Sequence, residues 1–259
     1  MNDTQSTKVF LLGGYDLEML TIKQLLEGQD DCVICDHHLQ WDNAFLSAYR
    51  DELSQYDNQT IYGIELKADL PIPENCHIID HHGEKEDAPC ALEQVAALLG
   101  ITLNRYQQLV ASNDKGYIPA MLAMSATPEE IETIRQNDRR AQGISAKDEL
   151  LAELSITDHL SRHGNLTVVY SLTPCFSCIC DRLFPYPSLL VYNEDVWSFY
   201  GEGKDDLVNQ LKEDILRKTI YYGGGVNGFV GSVTGAYTQE EIIHFVEQLK
   251  NKYESREIS

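Results

Sequence analysis

Apolar residues in the first part of the chain fall into short continuous runs separated by polar turns. Val9-Phe10-Leu11-Leu12 is short enough for a strand buried on both faces. Gly13, Gly14 and Tyr15 follow, then Met19, Ile22, Leu25 and Leu26 at helical spacing, which predicts a strand-turn-helix unit. Cys32-Val33-Ile34-Cys35 is a second strand, and Phe45, Tyr49 and Leu53 give helical character to the segment from Leu39 to Tyr56. Ile61 to Leu66 reads as a strand, Pro71 and Pro73 mark a loop, and Cys76-His77-Ile78-Ile79 is a further strand. Leu92 to Leu99 is an apolar-periodic helix, and Tyr106 to Ala111 runs into Ser112-Asn113-Asp114-Lys115-Gly116-Tyr117.

Beyond this the texture changes. Thr127 to Leu154 is polar and predicts two helices, the first capped by Thr127 and opened by Pro128. From about Asn165 strands return: Leu166–Tyr170, then Ser188–Tyr192 and Val196–Tyr200 as a pair joined by Asn193-Glu194-Asp195, with helices over Phe176–Leu183 and Leu207–Leu216. A stretch dense in glycine, Gly223-Gly224-Gly225-Val226-Asn227-Gly228, precedes a closing helix whose stripe is Ile242, Phe245, Val246 and Leu249. The expected architecture is α/β: a mostly parallel sheet domain over residues 1–125, a helical connector over 126–164, and a smaller α/β domain over 165–259 across a cleft.

Charge narrows the function classes. With 20 Lys+Arg against 41 Asp+Glu the formal net charge is -21, which disfavours tracking along a polyanion and argues against long nucleic acid as a partner. A small anionic substrate held through a metal is compatible with that surface. No apolar run approaches the roughly 18 residues that span a bilayer, and residues 1–7 show no signal-peptide pattern, so a cytoplasmic protein without a membrane partner is expected. Seven cysteines suit a reducing compartment. Cys32/Cys35 and Cys175/Cys178 have CxxC spacing, but Cys32 to Cys35 alternates as a strand, which sends its two thiols to opposite faces.

The chemistry concentrates where strands end. Cys76-His77-Ile78-Ile79 stops abruptly in Asp80-His81-His82-Gly83, delivering a carboxylate and two imidazoles to a strand tip, with a glycine that lets the chain turn beside a ligand. Acids also follow the other strands: Asp16 and Glu18 after the first, and Glu65 near the tip of the Ile61 strand. As plain helix-terminal acids, Asp16 and Glu18 would complement a helix dipole; Asn113-Asp114 is also ordinary turn chemistry. Asp36-His37-His38 repeats the motif after the second strand and is expected at the rim of the same crevice.

In its Asp80-His81-His82 motif and the acids around it, the sequence resembles the DHH phosphoesterase superfamily, and the likeness runs in order from the acid pair to the glycine loop. The resemblance implies that Asp16, Glu18, Glu65, His81 and Asp114 bind metal, that Asp80, His81 and His82 form the catalytic motif, and that Gly223, Gly224, Gly225 and Asn227 belong to a substrate-binding loop. It departs from the family in having Glu18 for the second acid of the first pair, no histidine just before Asp16, and Val226 where the glycine loop usually carries histidine. Carboxylates with a few imidazoles suit Mn²⁺ or Mg²⁺ better than structural zinc. Two ions, with Glu65 bridging them, would hydrolyse a phosphoester in a small nucleotide or another small phosphorylated molecule. The alternative from the same residues is a noncatalytic sensor or scaffold that kept the fold and binds a nucleotide-like ligand. A homodimer is left open.

Overall fold

The computed structural model describes residues 7–82, 88–223 and 228–256, and the chain divides into two compact units, Met1–Gly143 and Ile144–Ser259. In the first unit four strands, β1 (Lys8–Leu12), β2 (Cys32–Cys35), β3 (Thr60–Ile64) and β4 (Cys76–Ile79), form a parallel sheet in the order β2-β1-β3-β4. Because all four run the same way, every carboxyl end lies on one side, where ligands of open α/β sheets are bound. Val9, Phe10, Leu11 and Leu12 are all buried, as a strand covered on both faces requires.

Helices α1 (Leu17–Glu27), α2 (Arg50–Gln55), α3 (Ala91–Leu99), α4 (Arg105–Ala123) and α5 (Pro128–Ala141) complete the unit. The segment expected to be helical from Leu39 is irregular up to Phe45 and becomes a 3₁₀ turn only at Leu46–Tyr49, ahead of α2. Tyr49 explains the fixed entry: its buried hydroxyl donates to the Leu12 carbonyl at 2.6 Å and accepts from the His37 N–H, tying the turn to the tip of β1. Helix α4 carries Asp114 within it rather than in a terminal turn, and kinks just beyond, where Gly116 and Tyr117 leave helical geometry.

The second unit holds α6 (Ala146–His159), β5 (Leu160–His163), β6 (Leu166–Tyr170), α7 (Ser177–Leu183), β7 (Ser188–Tyr192), β8 (Trp197–Gly201), α8 (Lys204–Gln210), α9 (Lys212–Leu216), β9 (Ile220–Gly223), β10 (Phe229–Ser232) and α10 (Gln239–Arg256). Its sheet runs β5-β6-β7-β8-β10-β9; β6 and β7 are parallel and the other neighbours antiparallel. One face packs Trp197, Phe199, Leu190 and Val230 against Ile242, Val246 and Leu249 of α10. The helix expected over Leu207–Leu216 is broken at Leu211 into α8 and α9. No described helix is long and apolar enough to cross a membrane.

The polar stretch over residues 126–164 divides between the units. Helix α5 belongs to the first, where Arg135 and Asp138 are buried and Arg135 Nη1 reaches Asn113 Oδ1 at 2.9 Å on α4. Helix α6 and β5 belong to the second, where Ala152 joins the core beneath α7, and β5 pairs with β6. Residues 144–259 contain a whole core, so this segment alone is expected to unfold cooperatively in urea as followed by fluorescence of the buried Trp197. A segment starting at 165 lacks α6 and β5 and is expected to lose that transition. Equal stability of the two would contradict the division at Gly143.

Candidate metal centre

The site begins with a tight backbone. As the chain leaves β1, a Cβ on Gly13 would stand 2.3 Å from the Ile64 carbonyl oxygen and 2.5 Å from that of Glu65, so only glycine lets the ends of β1 and β3 lie so close. Glu65 itself has φ of 51°, the left-handed region that costs a non-glycine residue roughly 1–2 kcal/mol. Its N–H is held by the Ile79 carbonyl at 2.8 Å. This strained turn aims a carboxylate of a fully enclosed side chain at the tip of the sheet.

Three other elements meet it. From the first turn of α1, buried Glu18 sends Oε1 to the Leu92 N–H at 2.8 Å, at the start of α3, and takes a further hydrogen bond from the Cys90 thiol. His81, just past β4, is buried, and its Nε2 lies 3.4 Å from Glu65 Oε1 and 3.9 Å from Glu18 Oε2. It also lies 2.7 Å from Asp114 Oδ2, on α4. That last approach is not aligned as a hydrogen bond, and Glu18 Oε2, both Glu65 oxygens, His81 Nε2 and Asp114 Oδ2 are all buried without a hydrogen-bond partner among the described residues. One ligand atom from each of Glu18, Glu65, His81 and Asp114 lies within 4.8 Å of the others, and Glu65, His81 and His82 form a second such group sharing two members with the first.

Orphaned polar atoms are rare in protein interiors, and a buried set of three carboxylates and one imidazole all facing one point is what a divalent cation satisfies. The electrostatics agree. Burial, then the charges of Asp114 and Glu65, push the Glu18 carboxyl well above its ordinary range. Burial by itself would depress the His81 imidazole, but the carboxylates of Asp114 and Glu65 overcome it and raise the group to about 10.

The remaining residues of the expected set take other positions. Asp80 accepts at Oδ1 from both the backbone N–H of His82 and, at 3.0 Å, its Nδ1, so it orients the second imidazole. His82 is half-exposed at the mouth of the group, 3.8 Å from Glu65 Oε1. Asp16 is the N-cap of α1, accepting from the Met19 N–H at 2.9 Å; burial and the neighbouring Glu65 charge raise its carboxyl well above its ordinary range. It is not within the group of close ligand atoms. Gly223 ends β9, whereas Gly224, Gly225 and Asn227 lie outside the described residues. Asp36-His37-His38 stands at the opposite edge of the sheet from Asp80-His81-His82: Asp36 pairs with Lys23 at 2.8 Å and His37 with Glu52 at 2.7 Å. Sequence reasoning missed the Cys90 and Leu92 contacts to Glu18; the only local signal was a Cys90-x-x-Glu93 capping box opening α3.

No protein-family model matches the sequence, and no curated protein matches it. The solved structures to which it is similar include DHH-domain proteins. A pGpG-specific phosphodiesterase from Vibrio cholerae is 14% identical, with a TM-score of 0.49 over 97% of this chain and 99% of that one. The DHH domain of a member of a ribosomal protein family is 13% identical, with a TM-score of 0.45 over 90% and 73%. RecJ from Thermus thermophilus, in complex with Mn²⁺, is 11% identical with a TM-score of 0.49, over 97% of this chain and 52% of that one. At these values the functional reading rests on the site itself.

Because His81 must give up its proton to ligate, metal affinity is expected to rise with pH, about tenfold per unit for each proton lost, below the imidazole's value of about 10. Calorimetric titration with Mn²⁺ near pH 7 in buffers of different ionisation enthalpy should show release of about one proton or more per chain. Binding without proton release would contradict this arrangement.

Proposed function

We propose that the protein is a DHH-type, metal-dependent phosphoester hydrolase acting on a small nucleotide or other small phosphorylated molecule, with two divalent ions, Mn²⁺ or Mg²⁺. The observation that carries the proposal is the convergence of five buried ligand atoms from Glu18, Glu65, His81 and Asp114, none with a hydrogen-bond partner among the described residues, at the carboxyl end of a parallel sheet. Divalent cations bound there would lower the pKa of a water molecule and offset the charge of the phosphoryl oxygens.

The chain's own residues then have distinct tasks. Glu65, which with His81 belongs to both groups of close ligand atoms and has two carboxylate oxygens to offer where the imidazole has one nitrogen, would be the bridging ligand. Glu18 spends one oxygen on the α3 N–H and presents the other, which fixes its carboxylate plane. His81 and Asp114 close the group. Asp16 holds the first turn of α1 with one oxygen and, in this reading, turns the other toward the metals. Asp80 acts through His82, holding its ring so that the exposed nitrogen meets a phosphoryl oxygen. The acidic surface and compact site favour small substrates over long nucleic acid. Gly223, Gly224, Gly225 and Asn227 are assigned to substrate binding from the sequence alone.

Mn²⁺-dependent release of product from a short dinucleotide tests the reading. Glu65→Gln is expected to lower kcat/KM by at least roughly 100-fold, while Asp80→Asn, which removes an orienting partner, should cost about 10- to 100-fold. Full turnover in Glu65→Gln would end the assignment. Turnover that ignores added metal in the native protein would do the same.

A further inference from the structure

We infer that Arg135 is a positioning residue for the metal group: its guanidinium fixes the kink of α4 just beyond Asp114 and, through Asp138, ties that ligand to the turn of α1 that carries Glu18; the inference rests on the reading of those two side chains as metal ligands. Arginine is seldom enclosed, yet Arg135 on α5 is only 7% exposed. Taking a guanidinium out of water is costly unless its donors are used, so its partners show what it is for.

Those partners lie on both sides of Asp114 in the chain. Arg135 Nη1 donates to Asn113 Oδ1 at 2.9 Å, one residue before it, and the guanidinium carbon stands 4.7 Å from the centroid of the Tyr117 ring, three residues after it. The same Nη1 donates to Asp138 Oδ2 at 2.7 Å, and the other oxygen of Asp138 lies 3.4 Å from the N–H of Leu17, the neighbour of Glu18. One ion pair on α5 therefore grips residues that adjoin a candidate ligand on each of two other helices.

The backbone between these contacts is the part that needs holding. Tyr117 has φ of 59° and ψ of −151°, a combination populated almost only by glycine, and a residue forced into it persists where its surroundings over-determine it. A glycine stands one position earlier, where a Cβ on Gly116 would come within 2.8 Å of the Ala120 Cβ. The chain thus has glycine where space demands it and a tyrosine at the strained position, where glycine would sit without strain. What the tyrosine adds there is a ring for the buried guanidinium to cover. The kink bears directly on the site, since Asp114 lies in the last helical turn before it and its Oδ2 stands 2.7 Å from His81 Nε2.

The test separates placement of the ligands from stability of the fold, with Mn²⁺ affinity measured by calorimetric titration and the melting temperature of the metal-free protein measured in EDTA by circular dichroism. Arg135→Met combined with Asp138→Asn removes both buried charges together, so neither is left uncompensated, and is expected to weaken Mn²⁺ binding by about 10- to 100-fold. Tyr117→Gly removes the ring and the strain at once. It should melt above Tyr117→Ala, the reverse of the usual order in a helix, while binding Mn²⁺ at least about tenfold more weakly than the native protein. Tyr117→Phe, which keeps the ring, should bind Mn²⁺ as the native protein does. Native affinity in Tyr117→Gly or in the double variant would overturn the positioning role and leave the metal reading standing, as would equal losses in Tyr117→Phe and Tyr117→Gly. Melting of Tyr117→Gly below Tyr117→Ala would mean there is no strain for the guanidinium to hold, with the same consequence. Should the double variant not fold, the Tyr117 variants decide. Absence of Mn²⁺ binding by the native protein would remove both readings.

Discussion

The first unit is built around an electrostatic problem: acidic side chains are held out of water at one end of a sheet, with a single imidazole among them. Burying like charges together is unfavourable, and the described residues do not offer the hydrogen bonds that would compensate Glu18 Oε2, Glu65 or Asp114 Oδ2. Burial and neighbouring charge raise the carboxyls of Glu18 and Asp16, and the surrounding carboxylates raise the His81 imidazole. A divalent cation held there would satisfy the converging atoms at once. The local strain follows the same logic. Glu65 holds a left-handed backbone and Gly13 permits a contact no other residue would, and both place ligand atoms at one point.

Around that point the fold supplies rigidity from outside the ligand set. Tyr49 pins the tip of β1, Asp138 of α5 lies 3.4 Å from the Leu17 N–H at the start of α1, and Arg135 joins Asp138 to Asn113 beside Asp114. The Arg135 guanidinium also covers the Tyr117 ring at the kink of α4, with 4.7 Å to the ring centroid. Helix α5, polar in sequence, is thereby a structural part of the site, because its buried charged face braces the two helices that carry Glu18 and Asp114.

Much of the site was legible in the sequence because strand tips are local features. An apolar run ending in Asp80-His81-His82, or in Glu65, announces both the strand and the place where its polar residues emerge. What was not legible came from contacts between distant segments. The Leu92 N–H meets Glu18 across 74 positions, and Trp41 meets His82 and Gly14 through a turn with no periodic pattern. The division at Gly143 was hidden for a related reason: α5 and α6 both open with capping boxes and both show polar surfaces, so nothing local says which core each one joins. The second Asp-His-His was ambiguous as text; its distance across the sheet and its pairing with Lys23 and Glu52 set it apart.

The central claim is that Glu18, Glu65, His81 and Asp114 hold a divalent cation, and anomalous scattering from crystals of the protein soaked in Mn²⁺ tests it most directly. The account predicts a strong anomalous peak among those four side chains, with Glu65 and His81 in contact with it. Clear density for the four side chains with no peak between them, at a Mn²⁺ concentration that saturates binding in solution, would contradict it.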